Sequence, residues 1–147
     1  MEEKRLKKRL AFKTAVMLMI PGLLMIAFGL WLFFDTLDRQ APETYIDYDD
    51  AEARLLLETY EDTVILDVRT PEEFRQGHIP GSINIPLNEL MDGRYRELDR
   101  SDLFLVVCQS GARSATASQF LIDNRFHFVY NLLGGLNHWP DPLVQGD

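Results

Sequence analysis

The sequence predicts an α/β protein: a parallel sheet with helices on both faces, preceded by one transmembrane helix. Short apolar runs alternate with helical patterns along residues 45–147, which is typical of strands joined by helical crossovers. One run, residues 103–107, is continuously apolar, as buried parallel strands are. A stretch of 21 uncharged residues predicts the transmembrane helix. We therefore divide the chain into a basic tip (1–13), a transmembrane helix (14–34), a linker (35–44) and one folded domain (45–147).

Charge is distributed unevenly along the 147-residue chain. Residues 1–13 contain six basic and two acidic side chains, whereas the rest of the chain contains nine basic and 21 acidic ones. An acidic body repels nucleic acid, so we exclude nucleic acid as a partner. The single cysteine, Cys108, cannot form an intramolecular disulfide, and its presence needs another explanation.

The uncharged segment 14–34 is long enough to cross a membrane, because at about 1.5 Å of rise per residue a helix of this length spans roughly the 30 Å hydrocarbon core. A cleaved signal peptide and a buried core helix are the alternatives. The run is longer than a usual signal-peptide core and no small-residue cleavage site follows it, which favours the anchor. Basic residues precede it and only Arg39 closely follows. This asymmetry predicts a cytoplasmic N-terminus and an extracytoplasmic domain, periplasmic in a two-membrane bacterium.

The elements of the folded domain follow from local patterns. Asp49 precedes an apolar period of three to four residues, which marks a helix start. Pro71 suits the first turn of a helix because no N–H is lost there, and the acids after it favour the positive helix end. The predicted elements are a helix after Asp49 with Ala53, Leu56 and Leu57 on one face, a strand over 64–66 ending at Asp67, a helix from Pro71 to Gly77, strands over 82–85, 103–107 and 128–130, a helix from Ser114 to Phe120 or beyond, and a last turn between Gly134 and Trp139.

Two of these strands end next to reactive side chains, Asp67 and Cys108. Ligands of open parallel sheets bind at the carboxyl ends of the strands, so we expect both residues at the site. Backbone N–H groups converge on Cys108 ahead of the next helix, whose positive end faces the sulfur. Gly111 lets the loop curl and Arg113 adds a positive charge. These features lower the thiol pKa and favour the reactive thiolate. The alternative is that Cys108 is a small buried apolar residue continuing the strand.

Four sequence blocks stand in a characteristic order along residues 45 to about 140. They are residues 66–74 (LDVRTPEEF), residues 77–86 (GHIPGSINIP), residues 108–114 (CQSGARS), and Gly134-Gly135 with Trp139. Together they resemble the rhodanese family and are far more specific than any one block. The resemblance implies a parallel sheet flanked by helices and a persulfide carried on the loop cysteine, without a metal or an organic cofactor.

The resemblance also implies roles for individual residues. In the family pattern the loop cysteine takes a sulfur atom from thiosulfate or a persulfide and passes it to a thiol or cyanide acceptor. Arg113 is then expected to attract an anionic donor. His78 matches a mainly structural family position. The implied site consists of Cys108 as the catalytic nucleophile, Gln109, Ser110, Gly111, Ala112 and Arg113 as the loop that binds the substrate, and Asp67, Arg69 and Ser114 as support for that loop. For Asp67 and Arg69 an ordinary ion pair at the end of the sheet is the alternative.

Loop length argues against a related chemistry. Phosphatase-type sites use a Cys-x5-Arg loop around a tetrahedral oxyanion, whereas Cys108 and Arg113 are separated by four residues. The shorter loop suits a single extra sulfur. Val107 also occupies the place where such sites carry an acid-base histidine. Phosphatase activity is therefore disfavoured.

Three functions remain open from the sequence. The first is a sulfurtransferase of the thiosulfate type that faces away from the cytoplasm. The second is a membrane-tethered sulfur carrier that acts only with a dedicated protein partner. The third is a redox module that uses the same cysteine. Turnover with small donors and acceptors would favour the first, and activity with a protein acceptor alone would favour the second.

Overall fold

The computed structural model describes residues 25–33 and 44–146. The chain divides into two compact units, Met1–Gln40 and Ala41–Asp147. In the first unit, residues 25–33 form a helix (α1) with exposed apolar side chains such as Met25 and Trp31. Residues 14–24 and 34 of the predicted transmembrane segment lie outside the described residues, as do residues 1–13 and 35–43. No helix among the described residues is long and apolar enough to span a membrane.

The second unit contains a five-stranded sheet in which every neighbouring pair of strands is parallel. The strand order is β1-β5-β4-β2-β3. Strand β4 therefore lies in the middle of the sheet, between β5 and β2. The strands are β1 (Ile46–Tyr48), β2 (Val64–Asp67), β3 (Ile83–Asn84), β4 (Leu103–Val107) and β5 (Phe128–Leu132).

The helices start where the sequence provides capping groups. Asp49 and Glu52 form a capping box at one helix start, and Thr70 and Glu73 form another, each satisfying two backbone N–H groups. Gly77 ends the second of these helices, as predicted. The helices are α2 (Asp50–Thr59), α3 (Pro71–Gln76), α4 (Leu87–Met91) and α5 (Ala112–Asp123), with short 3-10 turns at Arg94–Glu97 and Gly135–Asn137.

Apolar side chains cover both faces of the sheet. On one face, Leu66 and Phe104 pack with Leu121 of α5 and Leu90 of α4. On the other face, side chains from the alternate strand positions pack with α2; this second group includes Ala53, Leu56, Ile65, Leu105, Val107 and Leu132. The predicted parallel sheet with flanking helices is confirmed.

The observed β3 is shorter than the predicted strand over 82–85 and β5 is longer than that over 128–130, and three larger details also differ from the prediction. Strand β1 was not predicted, because Ile46–Tyr48 is a three-residue edge strand whose side chains are mostly exposed and show no alternation. Helix α4 was not predicted, because five residues after Pro86 are too few to show a helical period. Helix α5 begins at Ala112 rather than Ser114, since Gly111 adopts the left-handed conformation and lets the helix start earlier.

Candidate active site

Cys108 lies at the carboxyl end of β4, at the centre of the sheet. The residue has no solvent-exposed surface. The loop that follows (the Cys108 loop, residues 108–113) turns at Gly111 and runs directly into α5. The middle of the loop is exposed at Gln109 and Ser110, whereas the sulfur lies beneath it. A short loop between a buried strand and a helix thus holds the thiol inside the protein, while residues in the middle of the loop are exposed.

Several donors surround the sulfur. The N–H of Gly111 donates to Cys108 Sγ over 3.2 Å, and the Ser114 hydroxyl lies 3.4 Å from the same atom. That hydroxyl also lies 3.1 Å from the Gly111 carbonyl oxygen, which competes for its single proton. Burial raises the pKa of the Cys108 thiol, but hydrogen bonds from the Ser114 hydroxyl and from the N–H groups of Ser114, Ser110 and Gly111 outweigh it. The net result is a pKa below the ordinary value. The loop therefore favours the thiolate.

A second segment clamps the loop from the side of β5. Backbone N–H groups of Leu136 and Asn137 donate to the carbonyl oxygens of Cys108 and Gln109 over 2.9 and 3.1 Å. Gly135 makes this approach possible: its φ is +61°, and a Cβ there would overlap the Cys108 carbonyl oxygen and lie 2.7 Å from Ser110 N. Gly135, which the sequence marked only as part of a turn, is thus needed for close contact with the loop.

A buried ion pair supports the loop from the side of β2. Asp67 is fully buried and Arg69 is 3% exposed. Arg69 Nη2 donates to Asp67 Oδ2 over 2.7 Å and to the Gly77 carbonyl over 2.7 Å, while Nη1 donates to Gln109 Oε1 over 3.3 Å. Because Arg69 contacts the loop through Gln109 and lies next to Asp67, the pair serves as a brace in this geometry.

A second ion pair closes the far end of the loop. Arg113 Nη1 and Nη2 donate to the two carboxylate oxygens of Glu73 over 2.8 and 2.7 Å. Both side chains are about one-third exposed. The Arg113 hydrogen bonds lower the pKa of Glu73 from 4.5 to about 2, while Glu73 raises the pKa of Arg113 above its usual range. Arg113, predicted to meet an anionic donor, is therefore occupied by a carboxylate.

The remaining predicted residues take different positions. Gln109 has its amide held between Arg69 and Asn137, at 3.3 and 2.6 Å, so its side chain is engaged within the protein. Ser110 and Ala112 are exposed on the outer side of the loop. His78 is buried, stacks on Phe74 at 3.7 Å between ring centroids, and has its Nδ1 2.9 Å from the Phe74 carbonyl oxygen. These contacts give His78 a packing role.

Sequence reasoning missed three residues at the site. Asn84 donates from its amide to the backbone carbonyls of Asp67 and Arg69, both over 2.9 Å. Asn137 Oδ1 accepts a hydrogen bond from the Gln109 side-chain amide, and the Glu73 carboxylate forms an ion pair with Arg113. The sequence contained Asn84 and Glu73 within the characteristic blocks, but their partners lie 15 to 40 positions away along the chain. Among the described residues, no three His, Cys, Asp or Glu side chains come together as metal ligands would.

Comparisons with known proteins agree on the folded unit. The family model for the Rhodanese-like domain matches residues 49–141. The putative sulfur carrier protein YrkF of Bacillus subtilis (strain 168) is 40% identical over 75 residues, which are 51% of this chain and 40% of YrkF. A sulfurtransferase of Allochromatium vinosum is 37% identical over 79 residues, which are 54% of this chain and 73% of that protein. The crystal structure of a rhodanese-related protein from Thermoplasma volcanium has a TM-score of 0.61 at 34% identity, and the match covers 69% of this chain and 100% of that one.

Proposed function

This chain belongs to the rhodanese-like domain family, and we propose that it is a sulfurtransferase that carries a persulfide on Cys108. The relative named as a sulfurtransferase supports sulfur transfer at the level of the family. The observation that carries the proposal for this chain is the environment of the sulfur: a buried thiol with a lowered pKa, facing the N–H of Gly111 and the hydroxyl of Ser114. Fixed donors that favour the thiolate over the thiol make Cys108 suited to nucleophilic catalysis.

The proposed reaction has two steps. In the first, the Cys108 thiolate attacks the outer sulfur of thiosulfate; the S–S bond of the donor breaks and sulfite leaves with the electron pair. With a persulfide donor the same attack releases a thiolate. In the second step, a thiol or cyanide attacks the outer sulfur of the Cys108 persulfide, and the Cys108 thiolate is regenerated. Each S–S bond broken is replaced by a new bond to sulfur, so no external oxidant or reductant is needed.

The loop contributes by fixed electrostatics. The N–H groups around Sγ remain in place as negative charge moves from Sγ to the outer sulfur of the persulfide. Donors that are already oriented require no reorganisation during the step, which is why such groups lower barriers. The Asp67–Arg69 pair and the Gly135 segment keep those donors in position.

A sulfur carrier with one dedicated protein partner is the second candidate, and a redox role for the same thiol with such a partner is a variant of it. The complete burial of Cys108 favours a partner that opens the loop on binding, because the sulfur is otherwise closed to a large acceptor. The relative YrkF is named a putative sulfur carrier protein. Under this candidate, transfer to small acceptors is slow and transfer to a protein thiol is fast.

We also propose that residues 14–34 anchor the domain in a membrane, with the N-terminus in the cytoplasm and the domain outside, in the periplasm of a two-membrane bacterium. The uncharged length of the segment and the basic tip before it support this proposal. Membrane retention after carbonate washing, with protease digesting the domain only from the extracytoplasmic side, would support it. The double variant Met25→Arg/Phe28→Arg should release the protein, because each buried arginine costs about 2.5 to 3.5 kcal/mol. Release of the wild-type protein by the carbonate wash would overturn the proposal that residues 14–34 anchor the domain.

A thiocyanate assay tests the catalytic proposal. The protein is given cyanide as the acceptor and either thiosulfate or a small alkyl persulfide as the donor. We expect turnover with the wild-type chain and none above background with Cys108→Ser. Turnover that survives Cys108→Ser would contradict the proposed nucleophile. An inactive wild-type chain that nevertheless passes sulfur to a protein thiol would move the assignment to the carrier.

A further inference from the structure

Glu73 holds the cationic end of the Cys108 loop in a fixed arrangement. The pairing with Arg113 is bidentate, with distances of 2.8 and 2.7 Å, and such fork-shaped pairs are geometrically specific. Glu73 is also fixed from its other side, because Thr70 N donates to Glu73 Oε2 over 3.0 Å in the capping box of α3. The carboxylate therefore already occupies its position before any ligand arrives.

The consequence is a neutral balance of side-chain charge around the thiol. Asp67 balances Arg69 within the buried brace, and Glu73 balances Arg113 at the loop end. Among these four charged groups no positive charge is left over to attract an anion. An anionic donor that approaches Cys108 must therefore compete with Glu73 for Arg113, whereas an uncharged donor does not need Arg113.

We propose that Glu73 determines the donor preference of this site: by holding Arg113 in a closed ion pair, it disfavours dianionic donors such as thiosulfate and favours uncharged or weakly charged persulfides. The inference rests on the proposed function, since it names the donor class for the same thiol. Glu73 acts through Arg113 and does not take part in the bond changes. The reaction with the favoured donor breaks the S–S bond of the persulfide, forms the new S–S bond at Cys108 and releases the donor's thiolate.

Alkylation of Cys108 isolates the charge effect, because iodoacetate and iodoacetamide form the same bond to sulfur and differ in charge. The ratio of their rates cancels changes in the amount of thiolate. We expect Glu73→Gln in the full chain to raise the iodoacetate-to-iodoacetamide ratio about 3- to 10-fold, as one released unit charge several ångströms away would do at low ionic strength. The amide retains a capping acceptor for the Thr70 N–H. Glu72→Gln is the matched control, because Glu72 pairs with Arg75 on the same helix, and its ratio should stay at the wild-type value.

The same substitution in an Arg113→Gln background separates the pairing from direct repulsion by Glu73. If the Glu73–Arg113 ion pair causes the low reactivity towards anions, Glu73→Gln should change the iodoacetate-to-iodoacetamide rate ratio little in the Arg113→Gln background. An equal increase in both backgrounds, an unchanged ratio, or a thiol that resists both reagents in Glu73→Gln would overturn the inference. Persulfide loading provides the link to function: Glu73→Gln should lower the KM for dianionic thiosulfate several-fold and change the KM for an alkyl persulfide, which carries at most one negative charge, much less. Absence of loading in every protein would overturn the proposed function, while the alkylation ratio would still decide the role of Glu73.

Discussion

The two ion pairs beside the Cys108 loop contain the same chemical groups but differ in environment. Asp67–Arg69 is almost completely buried, and Arg69 also bonds to the Gly77 carbonyl and to Gln109. Glu73–Arg113 is about one-third exposed and joins the loop end to the start of α3. A buried charge that loses its partner is costly, whereas an exposed pair contributes little to stability. The first pair therefore holds the structure, and the second is free to tune the charge that a ligand meets.

The largest effect is expected from breaking the buried pair. Asp67→Ala leaves the Arg69 guanidinium buried without its carboxylate, and we expect a loss of about 3 to 5 kcal/mol in the free energy of unfolding. Urea unfolding of the full chain, followed by far-ultraviolet circular dichroism, measures this loss. A loss below about 1 kcal/mol would show that the two pairs are energetically alike and would remove the contrast between them.

The second largest loss of stability is expected at Gly135, in the segment that contacts the Cys108 loop from the side of β5. Gly135→Ala places a methyl group against the Cys108 carbonyl oxygen at a φ of +61°, and we expect a loss of roughly 2 to 4 kcal/mol. Gly81→Ala is a useful control, because Gly81 also has a positive φ of +80° but a Cβ there has nothing within 4 Å. Equal losses in the two variants would mean that backbone strain, and not contact with the loop, explains the effect.

A smaller effect is expected from the donor inside the loop. Ser114→Ala removes the hydroxyl that helps to keep the Cys108 pKa low, so the pKa should move upward and less thiolate should be present at neutral pH. A lost hydrogen bond to a charged group of about 1.5 kcal/mol corresponds to an upward shift of the pKa by about one unit. The pH dependence of the rate of iodoacetamide alkylation gives the midpoint of the Cys108 titration. A midpoint that stays in place or moves down would contradict the role of Ser114.

The smallest effect is expected on the free energy of unfolding when the exposed Glu73–Arg113 pair is broken. Glu73→Gln should cost at most about 1 kcal/mol at neutral pH. Because the pKa of Glu73 is lowered to about 2 in the folded chain, its contribution is complete above its ordinary value of 4.5 and is lost as the pH falls from there towards 2. Thermal unfolding of both proteins between pH 6 and pH 2 should therefore show a difference that disappears with acid. A difference that grows on acidification would have the wrong sign for this pair.

Much of the fold was accessible from the sequence because local signals agreed with the tertiary structure. The continuous apolar run at Leu103–Val107 predicted β4, and Pro71 with its acidic neighbours predicted α3. Elements too short or too exposed to show a period escaped prediction, as β1 and α4 did. Their formation depends on pairing with β5 and packing on the sheet, which no local pattern reports.

The site shows a similar division. The position of Cys108 and the curl at Gly111 were predictable from the strand and the glycine that follow one another in sequence. The pairing of Glu73 with Arg113 was not, since the two residues are 40 positions apart and both had other plausible roles. The expectation that Arg113 meets an anionic donor overlooked this partner. Long-range pairs of charges are set by the assembled fold and leave no spacing signal in the chain.

The intact mass of the full chain after incubation with a small alkyl persulfide, beside Cys108→Ser, tests the central claim most directly. We predict that the wild-type chain gains the mass of one sulfur atom, that cyanide removes it, and that the Cys108→Ser chain gains nothing. A wild-type mass that does not change while Cys108 can still be alkylated, or an equal gain in the variant, would contradict persulfide chemistry at this loop.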